Sequence, residues 1–427
     1  MIYCNYHLQK LILFPEGELL LAFIGKEEDI NYLKLNGKEC FYLEVIMKTE
    51  KKTGFNRLIL IGNGFDLLHG LKTRYSDFVK DYLTYSINSF FINSYYSDEL
   101  IEISYTDSYK PTPLPSYNLE NIFDFFEDFK PRVNNLVKVN FKIKSTFFSL
   151  IYKSLNLGWV DIEKIYYSRL IDLYKIIGND RKQNENVLSM VKRLNADLNV
   201  IRELLREYLK KEQEKYIIQN VTKRANLRIA FQNPEEDDFP QNGNWKGKEI
   251  SKVLFLNFNY TEPNFTDNML AVNGFDWDVI NIHGTLVDEM VFGYGDELDE
   301  HYKMIEKLGE DEWLKGFKSF GYLQNHKYNN LLGFIEDTEF QVYVVGHSCG
   351  LSDKTLLNQI FEHKNCKNIK VFYHSFEEGG RKGEDTFNDT IYNIARIMDD
   401  KVKMRSIISK KTQSLGLKTL HDLAPSK

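Results

Sequence analysis

No Cys-x-x-Cys pair occurs in this sequence: the four cysteines, Cys4, Cys40, Cys349 and Cys366, stand apart. That spacing excludes a zinc ribbon and a thioredoxin-type redox motif. It fits a chain kept in a reducing cytoplasm, which is the expected location. Also missing are H-E-x-x-H, the helical zinc-peptidase pattern, and the Walker sequence G-x-x-x-x-G-K-[ST]. No metal is expected. No uninterrupted apolar stretch reaches the length of about 18 residues that a spanning helix needs, so no membrane partner is expected either. A large excess of one charge is absent too. Lys and Arg total 55 against 61 Asp and Glu, a net charge of −6, which argues against a protein that coats nucleic acid. Tryptophan is scarce, 4 against 26 Tyr and 30 Phe, so the core is expected to be built from the smaller rings. What remains is an ordinary globular composition, 43% hydrophobic and 27% charged. The length suits one large domain with an insertion, or two ordinary domains.

The first 46 residues mix short apolar runs, Leu11 to Phe14 and Leu19 to Ile24, with charges and without a period. They lack the basic start and cleavage site of a signal peptide. Residues 1–55 are taken as an N-terminal extension, of which residues 1–46 read either as a small β-rich piece or as an addition upstream of a natural start at Met47. The second reading is preferred. From Arg57 the pattern becomes regular. Arg57-Leu-Ile-Leu-Ile61 is an apolar run ending in Gly62-Asn63-Gly64, as a buried parallel strand ends. Asp66 to Leu83 has helical spacing, with a turn near Leu71 to Thr73. Residues 85–249 read as a mainly helical insertion, with a proline cluster at Pro111, Pro113 and Pro115. Its helices are Asn118 to Phe129 and Asn184 to Lys215, the second with apolar residues at Val187, Met190, Leu194, Leu198, Ile201 and Leu205. After a polar loop at Asn233 to Gly243, strand signals return at Lys252 to Leu256, Trp277 to Ile282, Val291-Phe292, Gln341 to Val345 and Asn368 to Tyr373. A helical pattern, Lys354 to His363, lies between the last two. Such alternation implies an α/β fold, a mostly parallel sheet with helices on both faces, built from residues 56–84 and 250–400. Residues 401–427 read as a C-terminal helix and tail.

The turn Ile61-Gly62-Asn63-Gly64-Phe65-Asp66 sits where strand passes to helix. Glycines there permit a tight bend and let backbone N–H groups approach a phosphate. The same glycines also suit a plain strand-to-helix turn. Asn259, at the end of a strand, is either a ligand-positioning amide or a residue bonded to loop backbone. His283, before a glycine, is either a functional imidazole or a satisfied core histidine.

The run Leu60-Ile-Gly-Asn-Gly-Phe-Asp-Leu-Leu-His-Gly-Leu-Lys-Thr-Arg-Tyr-Ser-Asp-Phe78 resembles the N-terminal signature of the AbiH family of phage abortive-infection proteins. Three further blocks follow in that family's order: Asn257-Phe258-Asn259-Tyr260-Thr261, Asn281-Ile282-His283-Gly284, and Gly346-His347-Ser348 through Leu351-Ser352-Asp353. The resemblance covers roughly Asn56 to His374. The same blocks resemble, more distantly, the sirtuin-like, Rossmann-type fold of NAD-consuming defence effectors. That resemblance implies an antiphage effector that binds a nucleotide and hydrolyses NAD, or a related nucleotide, at the glycosidic bond. By it, Asn259 positions ribose and water, and His283 acts as base or orients a ribose hydroxyl. Gly62, Asn63, Gly64, Phe65 and Asp66 lie beside the dinucleotide, with Thr73, Arg74 and Tyr75 covering the nicotinamide side. Tyr260, His347 and the adenosine-side Gly346, Ser348 and Asp353 complete the set. Thr261 stands where the sirtuin-like pattern has Asp, Asn63 replaces a small residue, and the sirtuin zinc module is missing, which argues against protein deacetylation.

Two alternatives come from different chemistry. A non-enzymatic nucleotide-sensing switch would use the same residues without turnover. A serine hydrolase would use Ser348 in Gly346-His-Ser-Cys-Gly350, which matches the G-x-S-x-G elbow. Its histidine would have to follow an acid downstream, and His363, His374 and His421 each fit that order poorly. The acidic run Asp296, Glu297, Asp299 and Glu300 reads as a solvated loop entering a helix before it reads as a metal site, and Glu120, Asp124, Glu127 and Asp128 as an exposed helical face. Lys210 to Lys215 mixes signs and reads as a solvated helix end. The expected partners are the nucleotide and a phage-derived trigger. Self-association into a homo-oligomer is left open, and nucleic acid is not expected.

Overall fold

Seven consecutive buried residues, Phe55–Ile61, form the strand around which the main sheet is laid. In the structure, a computed structural model, residues 9–13, 19–23, 41–43, 54–105, 139–156, 161–219, 230, 232–233, 239, 248–262, 276–377 and 380–418 are described. The Met47 start, the helix expected at Asn118 to Phe129 with its four carboxylates, the proline cluster, most of the loop after Asn233, and His421 lie outside them. The chain divides into two units, Met1–Thr53 and Gly54–Lys427. In the first, strand β1 (Gln9–Leu13) pairs antiparallel with both β2 (Leu19–Phe23) and β3 (Phe41–Leu43).

The second unit is built on a six-stranded, all-parallel sheet. Its strands are β4 (Phe55–Ile61), β8 (Ile250–Asn257), β9 (Asp276–Asn281), β10 (Phe340–Val345), β11 (Cys366–Tyr373) and β12 (Leu415–Gly416). Their order is β12-β11-β10-β4-β8-β9. Counted along the chain as one to six, this is the 3-2-1-4-5-6 arrangement of doubly wound sheets, which bind ligands where the order reverses. Here that point lies between β4 and β10. The register brings the carboxyl ends level: Ile61 faces Val345 on one side and Asn257 on the other, and Asn257 faces Asn281. The strand composition follows from burial on both sides. Leu58, Leu60, Val342, Val344, Ile369 and Val371 pack one face against the helices Lys327–Asp337, Lys354–Phe361 and Phe387–Ile397. Ile59, Ile61, Val253, Phe255, Tyr343 and Val345 pack the other, with Phe65 and Phe239. A charge inside such a sheet must be paired. Arg57 of β4 is fully buried, donates to Gln341 Oε1 (2.8 Å) and to the carbonyls of Ala230 and Gln232, and lies 4.2 Å over the Tyr343 ring.

Helices α1 (Asn63–Leu68) and α2 (Tyr75–Asn93) follow β4, and the insertion runs from α2 to β8. It contains α3 (Thr146–Asn156), α4 (Ile162–Tyr174) and α5 (Arg181–Gln219). It also contains a three-stranded antiparallel sheet, β5 (Tyr95–Ser97), β6 (Ile101–Tyr105) and β7 (Val139–Ile143), that the sequence reading does not contain. These elements share a core with α2 that includes Phe78, Leu83, Phe147, Tyr166, Leu198 and Leu205. Along α5 the expected stripe is buried except at Met190, which is 51% exposed. Two expectations fail. Val291-Phe292 is no strand; the pair is buried in a loop that Val291 N ties to the His283 carbonyl (2.8 Å). The C-terminal segment is not helix and tail alone, because β12 adds to the sheet after the helix Lys401–Ile407.

Candidate functional site

At the switch point, the loops that leave β4 and β10 lie against each other with no room for a side chain. A Cβ on Gly62 would meet His347 Cα at 2.5 Å, and one on Gly64 would meet Gly346 Cα at 2.9 Å. Gly346 has φ +71°, and a Cβ there would meet Phe65 N at 2.3 Å. The N–H groups of Gly62 and Gly64 donate to the carbonyls of Val345 (3.1 Å) and Gly346 (2.8 Å). The glycines of the first turn are thus required by the neighbouring loop, and two amides expected to face a phosphate are already bonded.

The polar groups of the site therefore come from side chains. Asp66, on the first turns of α1, is 1% exposed. Its Oδ1 accepts from Asn259 Nδ2 (2.8 Å) and its Oδ2 from the Thr261 hydroxyl. Burial pushes the carboxyl up to about 7, although both hydrogen bonds pull the other way. Asn259 also donates to the Gly62 carbonyl (3.1 Å), so its amide nitrogen is committed. Its backbone N–H is held by Asn257 Oδ1 (3.0 Å), and Asn257 in turn donates to Asn281 Oδ1 (3.0 Å). The ends of β8 and β9 therefore fix the angle at which Asn259 meets Asp66.

A second cluster centres on Lys318, whose ammonium is buried between Asp353 Oδ1 (2.8 Å) and Glu163 Oε2 (2.9 Å). Burial opposes its charge, but the two carboxylates outweigh burial and raise its pKa. Burial also opposes ionisation of Asp353, yet the Lys318 ammonium holds that carboxyl well below the usual range. Glu163 has less compensation, and burial raises it in spite of Lys318. His283 Nδ1 lies 3.0 Å from the Phe258 carbonyl, which only accepts, so that nitrogen carries a proton. Its Nε2 faces the Tyr322 hydroxyl (3.2 Å) and Asp353 Oδ1 (3.1 Å). Burial and the nearby Lys318 lower its pKa and favour the neutral ring. His347 accepts at Nδ1 from Cys349 N (3.0 Å) and turns Nε2 towards Asp353 Oδ2, 3.6 Å away.

Both clusters open on one cleft of about 410 Å³, within the range of about 300–1,000 Å³ usual for small-molecule sites. It is lined by Gly62, Asn63, Gly64, Asp66, Thr73, Tyr75, Asn259, Tyr260, His283, Gly346, His347, Ser348 and Asp353, all named from sequence. Two of the sequence-named residues do not line it. Phe65 points into the core beside His69, and Arg74 is exposed at the start of α2. The insertion supplies lining that the sequence reading missed: Asp161 and Glu163 at the start of α4, and Leu205 and Leu209 of α5. Glu163 had a signal. It shares the i, i+3, i+4, i+7 face of α4 with the buried Tyr166, Tyr167 and Leu170, where a carboxylate is out of place. Lys318 had none.

The competing chemistries find less support. Ser348 is exposed in a loop, and among the described residues no hydrogen bond joins its hydroxyl to a histidine. His363 precedes β11, at the amino end of the sheet and away from the cleft, and pairs with Glu336. In the acidic run, Asp299 caps the helix Glu300–Glu306 and accepts from Tyr167, and Asp296 pairs with Lys354. Among the described residues no group of three or more His, Cys, Asp or Glu is placed to hold a metal, and no helix is long and apolar enough to cross a membrane.

Compared with known families, residues 58–375 match the one described as bacteriophage abortive infection AbiH. The match takes in every lining residue of the cleft, from Gly62 to Asp353. No curated protein and no solved structure matches the chain.

Proposed function

This chain belongs to the AbiH family of bacteriophage abortive-infection proteins, and from that premise we propose that it is a cytoplasmic defence effector that binds a nucleotide and hydrolyses its glycosidic bond, with NAD as the substrate to test first. One observation carries the reading: a carboxyl titrating near neutrality, Asp66, is held by Asn259 and Thr261 at the carboxyl end of the first strand of a doubly wound sheet. Enzymes place general bases at such pKa values.

Cleavage of the nicotinamide–ribose bond leaves positive charge on the ribosyl centre, while the ring nitrogen takes the bonding pair and departs neutral. Water attacks the anomeric carbon and gives its proton to ionised Asp66. Asn259 sets the orientation of that carboxyl and keeps its own Oδ1 for water or a ribose hydroxyl. Glu163 and Asp353 share the one ammonium of Lys318, and when both are ionised the trio leaves net negative charge beside the ribosyl centre that turns positive. His283, with its proton on Nδ1, offers Nε2 as an acceptor that orients a ribose hydroxyl. A second reading, a nucleotide-sensing switch without turnover, draws on the shared lining: a ligand in the cleft touches both the sheet and helices α4 and α5 of the insertion.

The test is incubation of the purified protein with NAD, with free nicotinamide followed by chromatography, beside Asp66→Asn and His283→Ala. Release by the wild type and its loss in both variants is the expected result. NAD binding by calorimetry without release, also in extracts of phage-infected cells that would carry the trigger, favours the switch. Neither release nor binding sinks the NAD reading.

A further inference from the structure

A second hollow, of about 370 Å³, shares Asp353 with the cleft. Its wall is aromatic: Tyr302, Tyr322 and Tyr328 line it with Phe320, and the rings of Tyr322 and Tyr328 lie parallel within 7°, 5.9 Å apart. Among the described residues, Glu297, Glu306 and Asp353 are its charged lining, and no lysine, arginine or histidine lines it. Asp353 is neutralised by Lys318, but Glu297 is not. Its backbone N–H is bonded to the Thr355 hydroxyl (2.9 Å), yet among the described residues its half-buried carboxylate has neither a hydrogen-bond donor nor a cation. Burial raises the hydroxyl pKa values of Tyr302, Tyr322 and Tyr328, and Glu297 adds to the rise in all three, which places its charge among the rings. Ser319 Oγ, also in the wall, is buried without a hydrogen-bond partner among the described residues. Glu306 stands at the exposed rim and accepts from the Tyr302 hydroxyl (3.5 Å).

A half-buried carboxylate without a counter-ion among the described residues, in a hollow walled by aromatic residues, repels anions and attracts cations that can shed their water. Organic ammonium ions do so more readily than metal ions, and their methylene or methyl groups suit the apolar rim, where Phe320 is 41% and Leu323 73% exposed. We propose that this hollow binds a small organic ammonium ion, with Glu297 as its counter-charge and the tyrosines and Phe320 as its walls. The site is separate from the nucleotide reading and stands whether or not that reading holds.

Calorimetric titration of the purified protein with choline and with putrescine, against sodium chloride at equal ionic strength, tests it. Saturable binding of at least one ammonium probe is expected. Glu297→Gln, which keeps the shape and removes the charge, weakens it by roughly tenfold or more. Phe320→Ala, at a position exposed enough to leave folding alone, weakens it by a smaller factor. Asp66→Asn binds as the wild type does, which separates this hollow from the cleft. Absence of saturable heat with either probe, or equal affinity in Glu297→Gln, overturns the assignment.

Discussion

Asp66→Asn tests the electrostatic centre of the cleft without emptying it. Burial lifts this carboxyl from 3.8 to about 7, whereas in the unfolded chain it titrates near its ordinary value. Between the two values the folded protein keeps a proton that the unfolded chain has released. The stability tied to the protonated group is therefore complete below the unfolded value and is lost as pH rises through about 7. At about 1.4 kcal/mol per pKa unit, the whole swing is roughly 4 kcal/mol, of which roughly 2–3 kcal/mol falls between about pH 5 and pH 8. The asparagine cannot titrate, yet it keeps the contacts. Its oxygen accepts from Asn259, and its amide donates to the Thr261 hydroxyl, which turns to accept. Urea unfolding of both proteins at the two pH values reads the effect. The variant gains roughly 2–3 kcal/mol on the wild type from the lower pH to the higher. Glu163 titrates in both proteins and cancels from the difference. A difference that stays constant to within about 0.5 kcal/mol across the range, as a folded pKa of about 5 or lower would give, refutes the elevated pKa.

Three other substitutions probe the frame around that group. Thr261→Val removes a hydroxyl that lowers the Asp66 pKa, so the carboxyl titrates higher still; the pH–stability curve shifts upward in pH, and an unmoved curve refutes the hydrogen bond. Lys318→Met leaves Glu163 and Asp353 buried without their cation and costs about 3–5 kcal/mol in urea unfolding, most of it recovered when Glu163→Gln and Asp353→Asn are added. Gly346→Ala forces a Cβ onto a φ of +71° and against Phe65 N, so it lowers stability by about 1–3 kcal/mol or more and depresses Tm; an unchanged Tm means that the two loops are not packed as described.

The sheet is legible in the sequence where burial is two-sided. β4, β8, β10 and β11 are apolar runs because helices cover both faces, and that pattern needs no family resemblance to be read. Short strands give no such run. β5 has three residues and β12 two, and their membership is set by the neighbours they meet. Val291 and Phe292 show the converse, apolar residues buried by a loop, which a pattern of hydrophobicity cannot separate from a strand. The same division runs through the site. Gly62, Asn259, His283 and Gly346 were legible because they sit where strands end. Lys318 was not, since its value depends on Glu163 and Asp353 arriving from 155 and 35 residues away. Charges that break the local pattern are where sequence reasoning is expected to fail, and here they line the candidate site.

The glycines of the first turn and the charges beneath it together decide how a dinucleotide has to lie in the proposed site. In many doubly wound proteins a glycine-rich turn offers its amides to the pyrophosphate; here Gly62 and Gly64 give theirs to the loop after β10. The inner lining is acidic, with Asp66, Asp161, Glu163 and Asp353 against the single ammonium of Lys318. A pyrophosphate placed there would face carboxylates in a partly desolvated space, where like charges repel strongly. A pyridinium ring and a ribosyl centre turning positive face the same carboxylates with attraction. On the proposed function, NAD is expected to enter with its nicotinamide end inward and its phosphates toward Asn63, Ser348 and Ser352, lining residues that are exposed or half-buried. NADH has nearly the same shape without the positive ring, so in Asp66→Asn, where the proposed turnover would be blocked, it is expected to bind roughly tenfold or more weakly than NAD by calorimetry. Equal affinities would mean that the carboxylates do not meet the ring, and the proposed orientation would fail with them.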